Sequence, residues 1–252
     1  MGCPESASTT IDSVRALSIA LDRSEALDNA LMEAVDAPDY RPYDNSDRIC
    51  ASVAASSVAL EHGRALRVLI SDDLPTSAFS LLRLQHEALV RSVWLLYAAS
   101  ELSVAKLSAT LSPEAEAAAG KLPMVADMLK VLDGKAPVSA MQGLLAFKDN
   151  NAAALNSFVH GGIHALHRHA QGFPVPLVIG ALRNSNGLMV MTAAMLAVLS
   201  GSQQAMRRVA QLQSEYATDM PPHLLNVPAA QSTVTTTLGS SGERENNTNS
   251  GT

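Results

Sequence analysis

Apolar side chains recur at helical spacing through most of the chain, and each interruption falls at residues that end or start a helix. Ile11, Val14, Leu17, Leu21, Leu27, Leu31 and Val35 share a helical pattern after Thr9 and Thr10, which predicts a first helix closed by Pro38. Beyond a loop over 39–46, Asp47 is placed to cap a second helix reaching about Ile70, where Asp72, Asp73 and Pro75 follow. The stretch from Thr76 to Glu101 is apolar nearly all round, through Phe79, Leu82, Leu89, Val93, Trp94 and Leu95. That is the pattern of a helix buried inside a bundle, and it is the expected spine.

Proline punctuates the next part. Pro113, Pro123 and Pro137 each stand where a first helical turn has no use for an N–H, so a short helix is expected after each. A longer helix is expected from Asn151 to about His169, another from Pro174 and Pro176 toward Leu199, and a last one from Gln203 to about Thr218. No repeat or linker interrupts residues 10–220. The expected fold class is therefore all-α, a single helical bundle domain of about six to nine helices. From residue 227 onward the chain is small and polar, with too little apolar surface to offset its ordering entropy, so a disordered tail is expected over 227–252.

Composition agrees with that pattern. The chain carries 40 Ala and 33 Leu against 4 Phe, 4 Tyr and 1 Trp, a mixture that favours helices over strands. Two cysteines, Cys3 and Cys50, are too few for a disulfide framework, a four-cysteine zinc site or an iron–sulfur cluster, so a reducing compartment, the cytoplasm, is expected. No secretory signal is read at the N-terminus. The longest apolar run, Gly187 to Leu199, falls short of the roughly 18 to 20 residues that cross a bilayer, and no membrane span is expected. A formal net charge of −6 without a lysine or arginine run argues against a general nucleic-acid surface.

The candidate chemistry sits in two segments. On the spine, Arg83, Glu87 and Arg91 follow at four-residue intervals and form a charged ladder on an otherwise apolar helix. Two arrangements fit: an intrahelical pair on a narrow solvated stripe, or a buried Glu87 held between two arginines and aimed at a partner helix. The second segment runs from Asn156 to His169. If helical throughout, it sets Asn156, His160, His164 and His167 within about 80° of one face, although Gly161 and Gly162 weaken a helix there. These histidines read as structural hydrogen-bonding groups, as a metal pair, or as an acid–base or anion-binding pocket in which His160 works beside Arg83 and Arg91. His160 and His164 have the spacing of zinc-binding helices, but Gly161 stands where the metalloprotease glutamate would be, and no metal or cofactor is expected. Arg183, Asn184 and Asn186 either line the same pocket or form a surface turn with Gly187. Phosphate-binding glycine loops, nucleophile elbows and catalytic cysteine contexts are absent from the sequence.

The segments Arg83-Leu-Gln-His-Glu87-Ala-Leu-Val-Arg91-Ser-Val-Trp94 and Asn156-Ser-Phe-Val-His160-Gly-Gly-Ile-His164 resemble a bacterial family of uncharacterised helical proteins, over about Phe79 to Leu199. That resemblance implies no activity. More distantly, a spine helix with Arg and Glu and a later helix with a polar-x-x-x-His pattern is similar to the HEPN superfamily of small helical bundles. Many of those cleave RNA or act as partners in toxin–antitoxin and antiviral systems. Their ribonucleases place an arginine shortly before the histidine, where this chain has Ala154, Leu155 and Asn156, so Arg83 or Arg91 would have to supply that charge.

The reading is a non-enzymatic interaction module, in bacterial stress or phage defence, with a protein partner or a second copy of itself. The alternative is a HEPN-like ribonuclease or nucleotide-binding protein using His160 with Arg83 and Arg91, with Glu87 as a further catalytic candidate. Asn156, His164, Arg183, Asn184 and Asn186 complete the candidate binding set.

Overall fold

Serine caps set four of the helix starts. In the computed structural model, which describes residues 5–35 and 41–222 and side chains from Ile11 onward, Ser46 accepts the Ile49 N–H at 3.4 Å. Ser46, rather than Asp47, is therefore the cap of the second helix. Ser100, Ser112 and Ser202 do the same for later helices. The order is α1 (Glu5–Val35), α2 (Asp47–Ser71), α3 (Pro75–Tyr97), α4 (Glu101–Ser108), α5 (Pro113–Ala119), α6 (Val125–Leu132), α7 (Val138–Val159), α8 (Ile163–Gln171), α9 (Val175–Ser200) and α10 (Gln203–Glu215), then a 3₁₀ turn, Ala217–Asp219. Among the described residues there are ten α-helices and no strand, so the chain is all-α. The tail expected over 227–252 lies outside the described residues.

Three boundaries depart from the pattern read in the sequence. The spine stops at Tyr97, because Arg48 donates to the carbonyls of Leu95 and Ala99 and Ser100 begins a new helix, α4. The helix expected after Pro137 and the one expected from Asn151 are one, α7. That long helix ends early, at His160–Gly162, and α8 follows with its own axis. A split at the glycines and an added α4 bring the count above the expected range.

α2 and α3 form an antiparallel hairpin, joined by a turn in which Asp73 adopts φ 58°. The α2 face toward α3 and α9 carries Ser52, Ser56, Ala59 and Gly63, all buried, and small residues let helix backbones approach. Gly63 marks the closest point: a Cβ there would lie 2.5 Å from Met189 Sδ and 2.7 Å from Gln85 Nε2. α9 packs on both members of the hairpin, α6 and α7 cover the other side of α3, and α1 closes the bundle along α9. Leu31, Leu66, Leu89, Leu144, Leu188 and Leu212, each fully or nearly buried, place the core between these helices. Asp28 of α1, itself buried, receives Arg64 Nε at 3.0 Å and Arg67 Nη2 at 2.7 Å from α2, which gives the buried carboxylate the pairing it requires.

Candidate functional site

The charged ladder on α3 forms only in part. Arg83 Nε pairs with Glu87 Oε1 at 2.7 Å, and each side chain keeps 26% of its surface in water. Arg83 Nη1 also donates to Asn156 Oδ1 on α7. Arg91 is half-buried and makes no ion pair among the described residues. The arrangement is the solvated-stripe alternative. Ser77, Ser80, Leu84, Glu87 and Arg91 all fall on the one side of α3 that no other helix fully covers, so the carboxylate is not sandwiched between two guanidinium groups.

The single histidine face does not form, because α7 ends before the glycines. Gly161 has φ +63°, a conformation that side chains other than glycine rarely adopt. Gly162 packs against Ser157, whose Oγ would lie 2.6 Å from an added Cβ. The same Ser157 hydroxyl accepts the His164 N–H at 2.9 Å and so satisfies the start of α8. Asn156 and His160 therefore belong to the end of α7, and His164 and His167 to α8. All four are exposed. His169 Nδ1 lies 3.4 Å from Thr76 Oγ1, at the foot of α3.

Arg183, Asn184 and Asn186 lie within α9, which runs unbroken from Val175 to Ser200, so they form no turn. They also look in different directions. Asn184 donates to Gly180 O at 2.8 Å and accepts from Asn151 of α7 at 3.4 Å. Asn186 is buried and donates to Ser24 Oγ and to Asp219 O, both at 2.9 Å. Arg183 is exposed and, with Asn186, borders a cleft of about 260 Å³ between α1 and α9. That cleft is lined mainly by Ala16, Ile19, Ala20, Ile179 and Leu182 and takes in none of Arg83, Glu87, His160 or His164. A second cleft of about 510 Å³, along α1 and α2, is likewise mostly aliphatic and holds none of the candidate residues.

Apart from Asp28 and Asn186, the buried polar groups among the described residues lie elsewhere and are uncharged. Gln85 Nε2 donates to Ser185 O at 3.2 Å while Ser185 Oγ donates to Gln85 Oε1 at 2.8 Å, a reciprocal pair joining α3 and α9. Ser92 Oγ donates to Ser52 O at 2.8 Å, so the proton in its 2.8 Å contact with Ser56 comes from Ser56. His86 stacks on Phe147 with ring centroids 4.6 Å apart and gives its Nε2–H to Leu144 O at 3.1 Å. Burial pushes its pKa down to about 4, against the raising effect of the Leu144 carbonyl and of Glu87, and Lys148 and Arg83 add to the lowering. At neutral pH it is an uncharged donor held within the fold. Nothing in the sequence separates Gln85 or His86 from a surface position except that each falls on a buried side of α3.

A model for a family of unknown function matches residues 56–222, about two thirds of the chain. The chain belongs to the DUF6988 family. The matched region holds every candidate residue on α3, α7, α8 and α9, whereas α1 and the first turns of α2 lie before it. The DUF6988 match therefore covers most of the hairpin and its partners, and the helix that closes the bundle is outside it. No curated protein and no solved structure matches the chain. No helix among the described residues is long and apolar enough to cross a membrane.

Proposed function

We propose that this DUF6988 protein is a non-enzymatic helical interaction module of the cytoplasm, working in bacterial stress or phage defence through a protein partner. One observation carries the reading. The candidate side chains do not converge on a common space: Arg83 is committed to Glu87 and Asn156, Asn184 to Asn151 and Asn186 to Ser24, while His160 and His164 stand exposed on either side of the break at Gly161 and Gly162. A catalytic centre needs a nucleophile or base and its partner in reach of one reacting atom. Chemical crosslinking in the native cell followed by mass spectrometry should return a recurring protein partner.

The runner-up is a HEPN-like ribonuclease, and one contact favours it. Arg83 reaches Asn156, four residues before His160, which is where the resemblance wants an arginine. Single-stranded and duplex RNA incubated with the purified protein decide between the two. The module reading expects no cleavage beyond that of a His160→Ala, Arg83→Ala double variant. Cleavage by the parent chain that this variant lacks would overturn it.

A further inference from the structure

The last helix lies in a groove between α1 and α9 and fills only part of it. α10 packs on both helices, burying Val209 and Leu212, and returns along α9 from Gly201 to the level of Asn186, which donates to Asp219 O. There the chain is clamped. Arg23 of α1 donates to Asp219 Oδ2 through Nε at 3.1 Å and Nη2 at 2.7 Å, and its guanidinium lies 4.5 Å from the centre of the Tyr216 ring. Met220 and Pro221, next along the chain, are buried. Past Asp219 the groove continues toward the first turns of α1 and α9 as the cleft of about 260 Å³, with Ser24, Asn186 and Asp219 at one end and Ala16 and Ile179 at the other. Ile19 at its rim is 53% exposed.

We propose that residues 223–226, His-Leu-Leu-Asn, occupy this cleft within the same chain, so that a leucine of the Leu224–Leu225 pair fills it against Ile19, Ile179 and Leu182. Position names the occupant first. Pro222, the last described residue, stands three residues after Asp219, and α10 has brought the chain along the groove in the direction the cleft takes. Reach is sufficient: the cleft follows α9 from Asn186 to Ile179, a rise of about 10 Å, and four residues extend to about 13 Å. Chemistry agrees, because Leu224 and Leu225 are the one adjacent pair of large aliphatic residues after Met220, and the cleft is mainly aliphatic. Charge separates this segment from other occupants. The exposed side of α1 carries Asp12, Asp22 and Glu25, which oppose a second α1 or an acidic partner, whereas residues 223–242 contain neither Asp nor Glu. A segment tethered at the mouth of the cleft also closes only a short loop, while a separate molecule loses its translational and rotational freedom.

This inference concerns one copy of the chain and does not rest on the module reading. In full-length chains carrying Cys3→Ser and Cys50→Ser, single Leu224→Cys, Leu225→Cys and Ser232→Cys substitutions report solvent access through their rates of alkylation by iodoacetamide. A thiol packs as a small apolar group, and the neighbouring leucine is kept in each variant. At least one of the thiols at 224 and 225 should react about tenfold or more slowly than the thiol at 232. Adding Ile19→Asp or Ala16→Asp, both at exposed positions on the rim, should abolish that difference while circular dichroism keeps the helical content of the parent. The protection should be the same at every protein concentration. Thiols at 224 and 225 as reactive as the one at 232 overturn the inference. Protection that survives both rim variants places the segment elsewhere and also overturns it. Protection that grows with concentration assigns the cleft to the segment of a second copy, with the same result.

Discussion

The two sides of α3 are built on opposite terms. Toward α2 and α9 its polar groups are neutral, buried and hydrogen-bonded, as in Gln85 with Ser185 and Ser92 with Ser52 and Ser56. Toward solvent they are charged, half-exposed and matched in part, with Glu87 holding Arg83 while Arg91 has no ionic partner among the described residues. A neutral hydrogen-bonded pair is inexpensive to bury if both ends are satisfied, whereas a charge is kept near water. The residues that stand out most in the sequence are thus those the fold depends on least.

The largest test of this contrast is Gln85→Ala. It removes two hydrogen bonds and leaves a void beside Gly63 and Met189, so unfolding in denaturant should show a loss of about 3 kcal/mol. A loss below about 1 kcal/mol would mean that the inner seam relaxes freely. The next is acid. His86 has a folded-state pKa of about 4, below the ordinary histidine value, so between those two values the unfolded chain binds more protons than the folded one. Stability is then fully present above about pH 6.5 and falls as the pH drops toward 4, by an amount on the order of 3 kcal/mol. His86→Gln, which keeps a donor for Leu144 O, should flatten that part of the profile. An unchanged slope would place the acid sensitivity in other groups.

The outer side should respond far less. A Glu87 carboxylate buried between two arginines would cost about 3 to 5 kcal/mol to remove, but the pair found is a partly exposed i,i+4 bridge. Glu87→Ala should therefore cost about 1 kcal/mol or less, and that cost should shrink in high salt. Smallest of all is the coupling between Glu87 and His160, which a double-mutant cycle should report as additive within about 0.5 kcal/mol, while Arg83 and Asn156 should couple measurably. Strong coupling of Glu87 to His160 would restore the converging pocket.

Much of the fold is legible in the sequence because helix starts and stops are local. Proline at 113 and the apolar periods of α1, α2 and α9 need no knowledge of distant residues. The end of the spine is not legible in the same way, since it depends on Arg48 reaching the carbonyls of Leu95 and Ala99 from another helix. The candidate site is legible only as a set of residue types. Gly161 and Gly162 signalled a possible break, yet the direction α8 takes after it is fixed by tertiary packing. Gln85 and His86 carry no signal beyond the side of α3 on which they fall, because a buried amide or imidazole is recognisable only from what lies across from it.

The pairings along the chain also imply a sequence of events in time. The α2–α3 hairpin is closed by a short turn and joins residues such as Ser56 and Ser92, 36 apart, whereas the contact of Ser24 with Asn186 spans 162. Loop-closure entropy favours the nearer contacts first, so the hairpin should form early and α1 should dock late along α9. By the same ordering, amide exchange in the native state should release the α1 backbone before that of α2 and α3. The helix that seals the bundle would then also be the one that opens it.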